Sequence, residues 1–399
     1  MSKLSRREFL FQGASLGAAF VLGSRWSHTS AGQPAFRPGA IPAHRVVHIH
    51  SNQATAWNYA TGWYGDYVSQ SVVDAMTDQG VMALTDTTTP ASAWHAILPT
   101  YAAGQKVAIK INLNNNPSDC SDSGQIIDAL PQPVNSVIRG LKAIGVSEND
   151  IGVYDVTNGW HSGGMPSRVI SQVTALYPNV QFYSYASPCS VMLGYSSTQS
   201  IHFNVPAGKP AISDRPICNA LVNASYLINM PIMKKHGMAG VTLGFKNHFG
   251  SFDHCDDVHW SVDLGDPAYV STYSGLIDIY NNPHFKNKTV LTVGDGLYGA
   301  RIDNYSEIPS PWPTFGHQSP NSLFFSIDPV AIDCVMYDFL DWEGGVPAGS
   351  DNYLKLAHTA GLGAFEHWDA AHQYHTIDYQ RIEVSQTPFK LYLPLIQRN

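Results

Sequence analysis

The sequence predicts an α/β fold: a mostly parallel or mixed sheet flanked by helices, in one large domain with insertions. Two observations carry this expectation. Short apolar runs rich in Val, Ile and Tyr alternate along the chain with stretches of helical spacing. Beyond a Pro-containing linker at 32–43, no linker or charge run divides residues 44–399, so the alternation belongs to one unit.

Taken in order, Val46–His50 is a β-branched strand and 67–83 has helical spacing. Residues 106–112 alternate as a strand. The stretch 133–144 places Val134, Val137, Ile138 and Leu141 on one helical face and stops at Gly145, a residue suited to end a helix. A strand at 151–156, a helix at 167–176 and a strand at 180–185 follow. The Pro- and Ser-rich stretch 187–214 holds a hairpin arm at 201–205, which makes the sheet mixed there. Later strands fall at 226–230, 289–293 and 323–326, with a helix at 329–340 and a strand-like apolar tail at 389–396 that completes a sheet edge.

Charged residues make up 14% of the 399, against about 25% in an average soluble domain, and the net charge is −8. The hydrophobic fraction of 44% excludes disorder, and the lack of excess Lys and Arg argues against nucleic-acid binding. Seventeen histidines are the unusual feature.

The N-terminus reads Ser5-Arg6-Arg7-Glu8-Phe9-Leu10, then an Ala- and Gly-rich apolar run to Gly23. A twin arginine before a modest apolar stretch is the signature of the twin-arginine export machinery. The run is shorter than the ~20 residues that span a bilayer. A signal peptide at 1–31 is therefore expected, with no transmembrane span in the mature chain. The destination is the periplasm, the cell surface or the medium. The five cysteines show no C-x-x-C spacing, so no iron–sulfur cluster is expected, although one or two disulfides are allowed. Cys334 reads as a core residue.

Ligands of open α/β sheets bind beyond the carboxyl ends of the strands. Here those ends carry Asn112 with Asn114–Asn116, Asp155 with Asn158–Gly164, Lys234-Lys235-His236, Asp295 between two glycines, and Asp328. Three of the twelve lysines fall within 229–250, together with a Gly- and Thr-containing segment that opens a helix near Gly240. Ammonium groups beside a helix start suit a carboxylate or phosphate.

The pattern Met230-Pro231-x-x-Lys234-x-His236-x-x-Ala239-Gly240-Val241-Thr242-x-x-x-Lys246-Asn247-x-x-Gly250 resembles the core motif of the family known as domain of unknown function 362. Val107–Leu113, Gly294-Asp295-Gly296 and Ser326–Asp333 are similar, in order, to that family's strand, Asp-Gly turn and Asp-Pro-Val-Ala-x-Asp helix start. The resemblance covers roughly 105–345. It implies the α/β fold and names no reaction.

These residues point to an enzyme acting on a small anionic substrate. Lys110, Lys234 and Lys246 position the anion, His236 serves as acid or base, Asp155 and Asp295 orient the histidine or accept a proton, and Asn112 and Asn247 bind substrate oxygens. No G-x-S-x-G elbow, Walker loop or dinucleotide fingerprint is present. A divalent metal is the alternative, held by His248, His254, Cys255, Asp257 and His259, and a non-catalytic binding protein of the cell envelope is the third reading. His48 and His50 share one strand face, and His367, His372 and His375 read as packing or surface residues.

Overall fold

A computed structural model describes residues 41–113, 124–156, 165–184, 190–192, 194–301, 308–369 and 373–385. The expected leader, the loops at Asn114–Asn116 and Asn158–Gly164, Cys120, Cys189, His372 and the 389–396 tail lie outside them.

The strands are β1 (Arg45–His50), β2 (Val107–Lys110), β3 (Ile151–Asp155), β4 (Gln181–Ser184), β5 (Val191–Met192), β6 (Tyr195–Ile201), β7 (Arg215–Cys218), β8 (Tyr226–Asn229), β9 (Ile232–His236), β10 (Gly240–Thr242), β11 (Thr289–Ala300), β12 (Ser322–Ser326) and β13 (Asp378–Glu383). Eleven of them form one sheet in the order β13-β1-β12-β11-β8-β2-β3-β4-β5, with β9 joined to β11 and β10 to β9. The run from β11 to β5 is parallel, whereas β12 lies antiparallel to both its neighbours, so the sheet is mixed. β6 and β7 pair separately.

Both faces of the sheet are covered. Val107 and Ile109 of β2 enter one core while Ala108 enters the other, the period-2 alternation of a strand buried on both sides. Helices α1 (Gln70–Thr85), α2 (Pro90–Ile97), α3 (Pro131–Ala143) and α4 (Ser167–Thr174) contribute to the first core. Helices α5 (Gly275–Asn281), α6 (Pro329–Gly344) and α7 (Asn352–Thr359) contribute to the second.

α6 begins where Asp328 accepts from Val330 N and Ala331 N, both at 2.9 Å, and Pro329 supplies the pre-set first turn. Thirteen of its sixteen residues are buried, including three acids. Buried carboxylates need partners. Asp338 accepts from His367 Nδ1 (2.6 Å), Trp368 N and Tyr374 OH, and Glu343 accepts from Thr314 N. His367 is thus a packing residue that clasps the C-terminal segment to α6.

Two expectations change. β11 continues through Gly294-Asp295-Gly296 to Ala300, so that motif lies within a strand and not in a turn. A Cβ at Gly294 would stand 2.4 Å from Met336 Sδ, which explains a glycine in mid-strand. The segment at Gly240 forms β10, paired with β9, and a single helical turn starts only at Gly244. Among the described residues one end of the sheet order is β13, whose polar sequence gives no strand signal. It is held to β1 by Arg45–Asp378 (2.6 Å) and His50–Glu383 (2.5 Å). His48 is fully buried, stacked on Phe324 and bonded to Ser322 Oγ and Tyr379 OH.

Candidate active site at the carboxyl edge of the sheet

The site is built around the turn Gly244–Asn247. Asp333 Oδ1 accepts from Gly244 N at 2.7 Å, and its Oδ2 accepts from Phe245 N at 3.1 Å and from Tyr353 OH at 3.0 Å. Burial nevertheless pushes the Asp333 carboxyl up to about 7, against the lowering effect of those three donors. Asn229 Nδ2, at the end of β8, donates to Gly244 O. Side chains of α6 and β8 thus fix a turn too short to hold itself.

That turn carries two side chains of different fate. Asn247 is buried, its Oδ1 accepting from Lys110 Nζ (3.2 Å) and Asn112 Nδ2 (3.1 Å), its Nδ2 donating to Asn229 Oδ1 (2.8 Å). Lys110, fully buried, also donates to Ile111 O and lies 3.2 Å from Asp155 Oδ2, which accepts from Leu113 N. Burial lowers the Lys110 pKa and Asp155 opposes it. Lys110, Asn112, Asp155 and Asn247 therefore form a buried network beneath the strand ends, where they position the backbone. The amide oxygen Asn112 Oδ1 alone in this group makes no hydrogen bond among the described residues.

Lys246 points elsewhere. It is 8% exposed, its Nζ stands 4.5 Å from the centre of the Phe249 ring, and it makes no hydrogen bond or ion pair among the described residues. Burial lowers its pKa to about 8, with Lys234 adding to the effect and Cys255 opposing it. Lys246 lines a cleft with Val241, Tyr269, Tyr273, Ser350 and Asn352.

His236, the last residue of β9, is buried and accepts at Nδ1 from Met238 N (3.1 Å) and Ala239 N (3.2 Å). An imidazole accepting at Nδ1 carries its proton on Nε2. Burial, then the charges of Lys246, Lys234 and His259, hold its pKa well below the ordinary histidine value, so it is a neutral donor. Lys234 shares its strand face, two residues away. Lys234, His236 and Lys246 are thus one electrostatic group.

Asp295 lies apart from that group. It is buried, accepts from Leu297 N at 3.0 Å, and is pushed up to about 7 by burial; its charge acts on Tyr64. The charges acting on His236 include neither Asp295 nor Asp155.

The five residues expected to share a metal are dispersed. His248 is fully buried against Tyr280 and Phe285 and lowered to about 3 by burial. His254 pairs with Asp253 at 2.7 Å, and Asp257 pairs with Arg215. Cys255 and His259 do come together, with Asp256 as the third member. Cys255, Cys218 and Cys334 are free and buried. Tyr269, Tyr273, Ser350 and Asn352 escaped the sequence reading because nothing in their local pattern ties them to the lysines.

No curated protein matches the chain. The lactate racemase apoprotein from Thermoanaerobacterium thermosaccharolyticum is a structural neighbour at 15% identity and a TM-score of 0.37. The match covers 69% of this chain and 56% of that one, so this chain spans little more than half the racemase's length. Residues 107–338 match the model for the domain of unknown function DUF362, from β2 into α6, and the chain belongs to that family.

Proposed function

We propose that this protein is an exported enzyme that binds a small carboxylate or phosphate in the cleft beside Lys246. One observation carries the reading: Lys246 holds a buried ammonium that no described residue pairs. Leaving a buried charge unpaired is costly, and an anion in the cleft offsets that cost. Lys234 adds a second positive charge, and the neutral His236 offers Nε2–H as a hydrogen-bond donor to the bound anion. The buried network of Lys110, Asp155, Asn112 and Asn247 holds the turn in place. Export by the twin-arginine route belongs to the same proposal and rests on Arg6, Arg7 and the apolar run that follows.

A panel of carboxylates and phosphates, screened by thermal stabilisation, tests the binding step. The expected result is stabilisation that Lys246→Gln abolishes. Turnover of the stabilising compound then separates an enzyme from a binding protein.

A further inference from the structure

We propose that Cys255, Asp256 and His259 bind one divalent transition-metal ion of the zinc class. The ligand atoms these three side chains offer all lie within 4.8 Å of one another. Zinc–ligand bonds of about 2.0–2.3 Å place ligand atoms of a tetrahedral site roughly 3.3–3.8 Å apart. A closing movement of about 1 Å by side-chain rotation therefore completes the arrangement.

The local backbone favours it. Cys255 immediately precedes the helical turn Asp256–Ser261, which also carries His259. His259 Nδ1 lies 3.0 Å from Cys255 O; a carbonyl only accepts, so Nδ1 bears the proton and Nε2 keeps its lone pair. A second hydrogen bond that fixes the tautomer and orientation of a ligand histidine is a regular feature of metal sites. The edge contact with Phe249, at 4.9 Å between centroids, restrains the same ring.

Charge and softness choose the ion. A thiolate and a carboxylate neutralise a dication, so the bound site adds no net positive charge beside Lys246. Binding sends the Cys255 proton to solvent. One sulfur, one imidazole and one carboxylate suit zinc and disfavour magnesium or calcium. Three protein ligands leave a fourth position open for water or an anion. His259 acts electrostatically on His236, and Lys246 on His259, so the ion would lie within electrostatic reach of the Lys234–His236–Lys246 group.

The test uses the full chain without a histidine tag, stripped by chelator and titrated with Zn2+ and then Co2+. One equivalent of Zn2+ per chain is expected, and the Co2+ form shows a sulfur-to-cobalt charge-transfer band. Cys255→Ser removes that band. Asp256→Asn, at an exposed position, and His259→Gln each weaken Zn2+ binding at least about tenfold. His254→Gln, whose partner is Asp253, leaves it unchanged. The proposal is overturned if the cobalt form lacks the sulfur band, or if Asp256→Asn and His259→Gln bind Zn2+ like the parent chain. Neither outcome depends on the anion, so this test stands apart from that of the cleft.

Discussion

Asp333 Oδ1 accepts a 2.7 Å hydrogen bond from Gly244 N, joining residues 89 positions apart. The bond ties the Asp-Pro-Val-Ala-x-Asp segment of α6 to the turn that carries Lys246 and Asn247. A Cβ at Gly244 would stand 2.8 Å from the same oxygen, so the approach needs glycine. One buried carboxylate thereby sets the position of the cleft lysine.

Asp333→Ala leaves Gly244 N, Phe245 N and Tyr353 OH without their acceptor. Stability should fall by about 3 kcal/mol, measured by denaturant unfolding, and anion binding should weaken with it. Asp333→Asn keeps one acceptor oxygen and should lose less. Unchanged stability in the alanine variant would contradict the role given to this residue.

His367 gives a pH dependence with a definite sign. Burial would lower its pKa, but hydrogen bonds to Asp338 and Asp351 outweigh it and push the value up to about 9. The unfolded value is about 6.5. The folded state therefore binds more protons between those limits, and the clasp stabilises fully below pH 6.5 and fades as pH rises through 9. The parent chain should exceed His367→Gln by about 2 kcal/mol at pH 6, a gap that closes by pH 10. A gap that widens with pH would have the wrong sign.

Gly240 adopts φ +76°, and a Cβ there would meet Ser350 Oγ at 1.9 Å. Gly240→Ala combines left-handed strain with a clash at the cleft wall. Its unfolding free energy should drop by more than about 1 kcal/mol. A parent-like melting curve would show that the β9–β10 turn yields freely.

Replacing Arg6 and Arg7 by lysine tests the leader. The twin-arginine route reads the arginine pair, so the double variant should remain in the cytoplasm as uncleaved precursor, seen by fractionation. Undiminished export would remove this part of the account.

The parallel strands β2, β3 and β8 and the antiparallel β12 were legible because each is an apolar run bounded by turn residues. α6 was legible from Asp328-Pro329, although its all-round burial erases the amphipathic stripe that usually marks a helix. β9 and β13 were not, since Lys234, Lys235, Arg381 and Glu383 break the apolar alternation and long-range pairing with β11 and β1 makes them strands; β10 is only Gly240–Thr242, folded back on β9. The candidate site divides in the same way. Residue types named Lys234, His236 and Lys246, but only three dimensions separate the buried Lys110 and Asn247 from the cleft, or exchange Asp257 for Asp256 beside Cys255. Side-chain direction at a strand end depends on neighbours that are distant in sequence.

The central claim is that Lys246 is a buried cation awaiting an anion. Isothermal titration of a stabilising carboxylate or phosphate into the parent chain and Lys246→Gln tests it most directly. The account predicts that losing this charge-assisted contact costs at least about 2 kcal/mol of binding, more than tenfold in affinity, while the variant stays folded. Equal affinity in the two proteins would contradict it.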